Sequence, residues 1–238
     1  MNNSFLIETR HLVKRFPMGQ HQIVALDDVN LAFRKGEFCG LVGPSGSGKT
    51  TLLNLLGSLD SPSEGSAVVM GQAVERLTHK QAARLRSRYI GFIFQTFNLL
   101  PVYTVFENVE FPLLLQDMSS SQRKKAVSQA LEWVGLSDRA KSKPAQLSGG
   151  QSQRVAIARA MVKEPEVVLA DEPTANLDAE NSHNILQTME RLNRELQTTF
   201  IFATHDEKVI RYLHRKILLV DGRVVADEIM DETMEGET

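Results

Sequence analysis

A short stretch of the chain follows the pattern G-x-x-x-x-G-K-[ST], whose residue types suit the binding of a nucleoside triphosphate. Its residues are Gly43, Pro44, Ser45, Gly46, Ser47, Gly48, Lys49 and Thr50. The glycines let several backbone N–H groups point into one concavity, where side chains would keep a phosphate out. Lys49 can bring a mobile positive charge to the β- and γ-phosphates, and the Thr50 hydroxyl is placed to ligate Mg²⁺. We therefore expect the chain to bind a nucleoside triphosphate together with Mg²⁺.

The phosphate loop (residues 43–50) is flanked by a predicted strand and a predicted helix, which is the order typical of phosphate-binding loops. Residues 37–42 predict a buried strand that runs into the loop, and a helix leaves it over residues 51–56, beginning with Thr51. The N-terminus of that helix adds partial positive charge where the phosphates would sit. A flexible Gly/Ser turn is the alternative, and the order strand, loop, helix argues against it.

Two acidic residues end a second apolar strand, which is predicted over residues 167–172. A carboxylate at the end of a buried strand is costly unless it meets a cation. Asp171 can therefore reach Mg²⁺, directly or through water. Because side chains alternate along a strand, Glu172 points elsewhere and is the candidate base that orients the attacking water. Two surface acids at a turn are the alternative.

A histidine, His205, lies just past a further apolar strand over residues 199–204. In parallel α/β sheets, ligands bind at the edge where the strands end. A lone histidine is usually structural, but this one is expected to share its edge with the phosphate loop and Asp171. That position favours a contact with the γ-phosphate.

The segment 147–151, Leu-Ser-Gly-Gly-Gln, precedes a helix that is predicted over residues 154–162. Two glycines at the start of a helix can form another anion-binding nest, and a plain helix N-cap is the alternative. Thr78 with Gln81, and Thr104 with Glu107, have the spacing of capping boxes that open helices. Residues 104–164 carry helical patterns throughout, and Pro112 should kink or end the helix that Thr104 opens. The middle of the chain is therefore predicted to be a helical insertion between strand-rich flanks.

Two predicted loops carry exposed apolar side chains. Within the strands of residues 5–33, residues 14–19 form a turn-rich loop whose Phe16 could stack on a flat ligand or pack on the core. The loop after Gln95, residues 96–101, is unusually apolar. It could mark a docking surface or cover its own core.

The C-terminal part is predicted to begin with an amphipathic helix over residues 179–196. A hairpin with a tight Asp221-Gly222 turn follows over residues 217–225. The residues from Asp227 onward carry acids without basic residues, and we expect them to be frayed.

The composition excludes several classes of protein. The chain has 238 residues, a net charge of −2 and 24% charged residues, so nothing favours nucleic acid as its main partner. No apolar run approaches the roughly 18 residues that a membrane span needs. Residues 1–4 do not resemble a signal peptide. Cys39 is the only cysteine and fits a buried position in a reducing compartment.

Taken in order, these stretches resemble the ATP-binding subunits of ABC transporters over nearly the whole chain. The resemblance implies that Phe16 stacks on adenine and that Gln95 touches Mg²⁺ and the attacking water. It implies that Glu172 is the catalytic base and His205 the switch histidine. It also implies a signature that closes on the partner subunit's ATP and a loop that crosses the dimer interface. The signature residues are Ser148, Gly149, Gly150 and Gln151, and the loop residues are Asn176, Leu177 and Asp178.

Within that family the chain is most similar to the lipoprotein-releasing and macrolide-exporter type. Residues 53–60, 90–101 and 107–112 carry this likeness. Two residues depart from the pattern. Phe16 stands where Tyr is commoner, and Ala175 stands where the subgroup often has Gly. Both changes are mild and leave ATP hydrolysis as the implied activity.

We therefore expect one α/β domain of the P-loop NTPase class, an ABC ATPase core with an antiparallel β-subdomain and an inserted α-helical subdomain. Residues 1–95 and 164–238 would form the ATP-binding core, and residues 96–163 the helical part. The resemblance implies a head-to-tail homodimer that sandwiches two ATPs. It implies a separate membrane permease at the cytoplasmic face of the inner membrane, with export or extraction favoured. A regulatory ATPase that signals to cell-wall enzymes and a soluble ABC ATPase are the alternatives.

Overall fold

The computed structural model describes residues 5–19 and 21–230, which form two β-sheets and seven α-helices in the described part of the chain. The first sheet has four antiparallel strands in the order β2-β1-β4-β5. These strands are β1 (Ile7–Met18), β2 (His21–Phe33), β4 (Glu64–Val69) and β5 (Gln72–Ala73). Its buried apolar residues pack in one cluster with Leu41 and Ile201, which belong to the second sheet.

The second sheet has six strands in the order β10-β9-β3-β8-β7-β6, and all neighbours are parallel except β9 and β10. Its strands are β3 (Phe38–Val42), β6 (Ile90–Ile93), β7 (Val167–Asp171), β8 (Thr199–Thr204), β9 (Arg215–Val220) and β10 (Arg223–Ile229). Every residue of β3 and β8 is buried, as expected for parallel strands covered on both faces. The loops that follow β3, β7 and β8 therefore meet at one edge.

Helices cover both faces of the second sheet. They are α1 (Lys49–Leu56), α2 (His79–Tyr89), α3 (Val105–Glu110), α4 (Ser120–Trp133), α5 (Gly149–Met161), α6 (Ala179–Leu196) and α7 (Glu207–Ile210). Phe200 and Phe202 of β8 join one apolar cluster with helices α3 to α6. Ile201 and Ala203 alternate with them and join a second cluster with α1 and the antiparallel sheet. Because the side chains of β8 alternate between the two clusters, this strand connects the layers that cover the two faces of the sheet.

Several local predictions are confirmed. Capping boxes open α2 at Thr78 and α3 at Thr104, and α3 ends just before Pro112, which lies in the short 3₁₀ helix over residues 111–115. The Asp221-Gly222 turn joins β9 to β10, and both residues have positive φ angles, 47° and 77°, as a two-residue hairpin turn requires. In the described residues, no helix combines the length and the apolar character that crossing a bilayer demands.

Two local predictions are wrong. Residues 14–18 are not a loop but the end of β1, where Phe16 pairs with Ile23 and Met18 with His21 across β2. The tail does not fray at Asp227, because residues 227–229 belong to β10 and Asp227 accepts two hydrogen bonds from Arg215. Residues 231–238 lie outside the described residues, as do residues 1–4, on which the expectation about a signal peptide rests.

Candidate functional site

The phosphate loop leaves β3 and enters α1, as predicted. Gly48 is the residue before α1, with φ 102°, and a side-chain Cβ there would lie 2.5 Å from the carbonyl oxygen of Ala25. Gly46 also has a positive φ, 81°, but a Cβ there would meet open space. The loop is therefore pressed against β2 at one glycine and open to a ligand at another.

Lys49 is buried and folds back over the loop. Its Nζ donates hydrogen bonds to the carbonyl oxygens of Gly43 and Pro44, at 2.7 and 2.9 Å. The hydroxyl of Ser47 is buried and has no hydrogen-bond partner among the described residues. A buried positive charge and an unpaired hydroxyl beside exposed loop backbone fit the binding of a polyphosphate.

The structure brings together two of the three predicted metal ligands. Thr50 Oγ1 donates to Asp171, at 3.0 Å from Oδ2 and 3.2 Å from Oδ1. Burial raises the pKa of the Asp171 carboxyl, the hydrogen bond from Thr50 opposes this rise, and the nearby Glu172 charge adds to it. A desolvated carboxylate beside a hydroxyl is an oxygen donor set that suits Mg²⁺.

These two residues supply only part of a coordination sphere. The described residues contain no cluster of three or more His, Cys, Asp and Glu side chains that could hold a metal ion. Mg²⁺ in phosphate sites is commonly held by one or two protein ligands together with substrate phosphates and water. The residues present therefore fit Mg²⁺ bound with a nucleotide.

Gln95, the third predicted ligand, is exposed two residues past the end of β6. Its backbone carbonyl accepts a hydrogen bond of 2.8 Å from the side chain of Asn176. The loop after Gln95 is thus tied to the loop that follows Glu172.

Glu172 and His205 are in direct contact, although they lie 33 positions apart in the chain. Oε1 of Glu172 lies 2.6 Å from Nδ1 of His205, and Oε2 accepts a hydrogen bond of 3.1 Å from Thr204. The Glu172 side chain is 15% exposed, whereas His205 is 66% exposed. Glu172 and Asp171 point to different partners, as the alternation of strand side chains predicts.

The backbone of Glu172 has a φ of 45°, which is unusual for a residue other than glycine. Its N–H donates to the carbonyl of Ala203 at 2.9 Å, so β8 holds both its main chain and its side chain. Thr204 is therefore a functional candidate that the sequence reading missed. Its position in the strand just before His205 was the available signal.

The Leu147–Gln151 segment opens α5 directly. Ser148 is the N-cap residue, its Oγ accepts from the Gln151 N–H, and the Gln151 side chain accepts from the Ser148 N–H. The prediction that the helix begins at Arg154 is wrong, since it begins at Gly149. The spacing of Ser148 and Gln151, which is that of a capping box, could have indicated this start.

The signature residues lie apart from the phosphate loop of their own chain. Among the described residues, no hydrogen bond or ion pair joins residues 148–151 to residues 43–51. Ser148 and Gly149 are exposed, and Gly150 packs so closely that a Cβ there would lie 2.4 Å from Oδ1 of Asn181. Ser148 and Gly149 are thus presented to the outside, whereas Gly150 is buried against Asn181 of α6.

Asp178 is the N-cap residue of α6. Its Oδ1 accepts from the backbone N–H of Asn181, and its Oδ2 accepts from that residue's side chain. The first of these hydrogen bonds is the main reason why the pKa of Asp178 is lowered. Asp178 therefore has a structural role in its own chain, next to Gly150.

Phe16 lies near the tip of the β1–β2 hairpin, and the residue is 39% exposed. The second strand of that hairpin passes the phosphate loop at Ala25. Among the described residues, Phe16 makes no hydrogen bond to the loop, so its connection to the phosphate site runs through the hairpin. Its ring is therefore available to a flat ligand that reaches from the loop.

The model of the ABC transporter family matches residues 26–175 of this chain. The chain belongs to the ABC transporter family. It is 45% identical over 224 residues to the lipoprotein-releasing system ATP-binding protein LolD of Geobacter metallireducens, which covers 94% of this chain and all of that protein. This assignment confirms the resemblance and the predicted P-loop NTPase fold class.

Another relative is longer than this chain. The macrolide export ATP-binding/permease protein MacB of Burkholderia thailandensis is also 45% identical over 224 residues, but the match covers 34% of its length. The chain thus spans about a third of the macrolide-export relatives that it matches.

The fold agrees with solved ABC cassettes. The dimeric post-hydrolysis structure of MJ0796 from Methanocaldococcus jannaschii, with ADP and Pi, has a TM-score of 0.87 and 41% identity. The match covers 94% of this chain and 99% of that one. ADP and phosphate are the products of ATP hydrolysis, so that structure shows the MJ0796 cassette after ATP has been cleaved.

Proposed function

We propose that the chain binds and hydrolyses ATP with Mg²⁺ and powers a separate membrane permease for export or extraction. The observation that carries the catalytic part is the meeting of two pairs, Thr50 with Asp171 and Glu172 with His205, at one edge of the second sheet. One pair suits a phosphate-bound metal and the other suits a positioned base beside a γ-phosphate.

The phosphate loop would hold the triphosphate through its N–H groups, and Lys49 would exchange its bonds to the carbonyls of Gly43 and Pro44 for phosphate oxygens. Ser47, Thr50 and Thr51 would add hydroxyl contacts. This fixed positive environment stabilises charge on the transferring phosphoryl group. Thr50 and Asp171, with Gln95 alongside, would hold Mg²⁺, which neutralises phosphate charge when bound.

Glu172 would orient water for in-line attack on the γ-phosphorus, and His205 would contact the γ-phosphate. Thr204 and His205 hold the carboxylate of Glu172 from two sides, so little reorganisation is needed when the water is aligned. The bond that breaks joins the γ-phosphorus to the bridging oxygen of ADP, and the proton of the water leaves towards Glu172.

A second copy of the chain would complete each site. Ser148 and Gly149 are exposed, and none of Ser148, Gly149, Gly150 and Gln151 bonds to a described residue of its own phosphate loop, which fits a head-to-tail dimer that places them on the partner's ATP. The loop over residues 176–178 would lie between the two sites. MJ0796, whose fold this chain shares, was solved as a dimeric cassette with ADP and Pi.

The permease would dock in a groove of about 500 Å³. The groove is bordered by the C-terminal half of α2, by β6 and by the C-terminal end of α5. Its apolar lining includes Phe111 and Leu115, and the loop after Gln95 adds Asn98 and Leu100. Leu115 is 78% exposed. An exposed apolar groove of this kind fits an apolar segment of another protein.

The positively charged side chains of the groove indicate which charge the docking segment of the permease would carry. Arg86, Arg159 and Lys163 line it, and each donates to backbone carbonyls rather than to a carboxylate among the described residues. Burial lowers the pKa of Lys163 to about 8. A docking segment that brings an acidic residue to this wall would therefore be favoured.

The proposed division of the chain follows from these roles. Residues 1–95 and 164–238 would form the ATP-binding core, and residues 96–163 the helical part that carries the signature. Docking would place the chain on the cytoplasmic face of the inner membrane. LolD is named for lipoprotein release and MacB for macrolide export. We propose that the permease of this chain likewise exports its cargo or extracts it from the membrane.

The test is a detergent pull-down of the Glu172→Gln chain with ATP, followed by mass spectrometry of the proteins that co-purify. A permease with a large extracytoplasmic domain supports the export or extraction reading. A membrane partner bound to cell-wall hydrolases supports the regulatory alternative, and a homodimer without membrane protein would contradict both. Phosphate release by the unchanged chain, measured in parallel, tests the ATPase itself.

A further inference from the structure

Lys14 is a buried lysine of β1 that the proposed chemistry does not use. Its side chain is 11% exposed, and its Nζ donates to Asp60 Oδ1 at 2.7 Å and to the Ser61 carbonyl at 2.8 Å. The same Nζ lies 5.0 Å from the centre of the Phe16 ring. One ammonium group thus joins an aromatic ring near the tip of a hairpin to a carboxylate in another element.

The carboxylate belongs to the turn that ends α1. Asp60 lies four residues past the end of that helix, and its N–H and that of Leu59 are directed at the Asn54 carbonyl within the helix. The opposite end of α1 carries Lys49 and Thr50. The Lys14–Asp60 pair therefore connects Phe16 to the same rigid helix that begins at the phosphate loop.

Neighbouring contacts hold the strand in the same place. The Arg15 N–H donates to Ser63 Oγ at 2.9 Å, and the Arg15 guanidinium pairs with Glu64. None of these contacts fixes the Phe16 ring itself, since they involve the main chain or the opposite face of β1. Lys14, two residues before Phe16, lies on the ring's own face.

A buried cation near an aromatic ring is attracted to its face and restricts its rotation. Lys14 is too buried to reach a nucleotide that stacks on the exposed side of that ring. A ring that is held before the ligand arrives loses less entropy when a base stacks on it.

We propose that Lys14 is a positioning residue for nucleotide recognition, which holds the Phe16 ring at a fixed distance from the phosphate loop through Asp60. This inference rests on the proposed role of Phe16 as the surface on which adenine stacks. It assigns a binding function to a residue that contacts neither base nor phosphate.

The experiment compares Lys14→Met, Lys14→Arg and Phe16→Leu in the full chain. Affinities are measured for ATP and for inorganic triphosphate, which has no base to stack. We expect Lys14→Met to weaken ATP binding by about 3- to 10-fold, as the loss of a desolvated cation–π contact would. The KM for ATP should rise by the same factor while kcat and the inhibition constant of inorganic triphosphate stay unchanged. Lys14→Arg should restore ATP affinity, because a guanidinium can keep both the ring contact and the carboxylate.

Further variants separate positioning from a general loss of structure. Lys35→Met, which removes an exposed lysine paired with Glu166, is the matched control and should leave all constants unchanged. In the Phe16→Leu background, Lys14→Met should have no further effect on ATP affinity. If Lys14→Met failed to fold, Asp60→Asn would test the same link, with a smaller weakening of ATP binding expected.

Each other outcome counts against the proposal. Equal loss of affinity for ATP and triphosphate would mean that Lys14 supports the phosphate loop rather than the ring. Unchanged ATP affinity in Lys14→Met, with a clear loss in Phe16→Leu, would remove Lys14 from recognition. Unchanged affinity in Phe16→Leu would instead refute the stacking role of Phe16, while phosphate release by the same variant would report separately on the ATPase.

Discussion

The Glu172 carboxylate is held from two sides by consecutive residues of one strand end, His205 at 2.6 Å from Oε1 and Thr204 at 3.1 Å from Oε2. Both partners come from the end of β8, which lies beside β7 in the sheet. The orientation of the proposed base therefore depends on the register of two parallel strands, in which Asp171 pairs with Ala203.

Replacing Glu172 by Gln should slow ATP hydrolysis by about 10²–10⁴-fold, the range for a positioned acid–base group. The amide cannot accept a proton from water, but it keeps the size of the side chain, so ATP should still bind. Phosphate release and binding of a fluorescent ATP analogue measure the two effects. Glu180→Gln, at an exposed position in the first turn of α6, is the control. Normal turnover by the Glu172→Gln chain would remove Glu172 from its proposed role.

Replacing Thr204 by Val removes one of the two donors to Glu172. We expect kcat to fall by about 3- to 10-fold, the equivalent of one hydrogen bond worth roughly 1 kcal/mol. The KM for ATP should not change, because Thr204 is not expected to touch the nucleotide. Thr204→Ser keeps the hydroxyl, which also accepts from the Asp206 N–H, and should restore kcat. A failure of Ser to restore the rate would point to packing rather than to the hydrogen bond.

Replacing Lys49 by Ala should abolish measurable ATP binding, because the loop loses its buried positive charge and two hydrogen bonds to its carbonyls. Isothermal titration with MgATP measures the affinity directly. Lys125→Ala, at an exposed position of α4, should bind ATP normally. Unchanged ATP binding by Lys49→Ala would argue against the assignment of the phosphate loop.

Replacing Asp171 by Asn should stabilise the chain without nucleotide while it abolishes Mg²⁺-dependent hydrolysis. Burial raises the pKa of Asp171 in the folded chain above its ordinary value of 3.8, so the unfolded chain releases this proton more readily. The ionised carboxylate therefore destabilises the fold at pH 7, and this cost disappears as the pH falls below about 4. We expect Tm to rise by about 1–4 °C at pH 7, with the difference shrinking towards pH 4.

Thermal melting across that pH range also compares the Tm of Asp178→Asn with that of the unchanged chain. The pKa of the Asp178 carboxyl is lowered, whereas that of Asp171 is raised. That variant should lose stability at pH 7, because the fold favours the ionised Asp178 carboxylate that it removes. A lower Tm for Asp171→Asn at pH 7 would show that the ionised carboxylate does not destabilise the fold.

Replacing Leu115 by Glu should disrupt docking of the permease, because it places an acidic side chain in the mouth of the apolar groove. The side chain is exposed, so Tm and the intrinsic ATPase rate should hold. The charged replacements Phe97→Asp and Leu99→Asp, in the loop after Gln95, should likewise uncouple the ATPase from its partner, although Leu99 also packs on the core.

Val225→Glu, at an exposed position of β10, is the control for this docking test. Co-purification with the permease from detergent-solubilised membranes is the measurement. Unaltered membrane association of the Leu115→Glu chain would refute the proposed groove.

Local patterns predicted much of the fold, because capping residues and turns act over a few positions. Thr78 and Thr104 begin their helices as their spacing predicts, and Asp221-Gly222 makes the predicted turn. Asp178 begins α6 where the predicted helix starts. In each case the deciding interaction lies within four residues.

Except for the start of α5, which the local pair of Ser148 and Gln151 decides, the failures came from contacts between distant segments. Residues 14–18 looked like a loop, and only the buried pair of Lys14 with Asp60, 46 positions later, shows why a charged residue can lie in a strand there. Asp227 looked like part of a frayed tail, but Arg215 holds it in β10. The contact of Glu172 with His205 needs the order of the strands, which neighbouring residues do not determine.

The position of β3 has a consequence for how the protein is made. β3 leads into the phosphate loop, yet its two neighbours in the sheet, β8 and β9, begin only at Thr199 and Arg215. The ribosome therefore makes the phosphate loop long before it makes the two strands that flank β3. Pairing between strands that lie so far apart in the sequence is slow. Nucleotide can begin to protect the nascent chain only after β9 has been made, so termination before Arg215 would yield fragments that ATP does not stabilise.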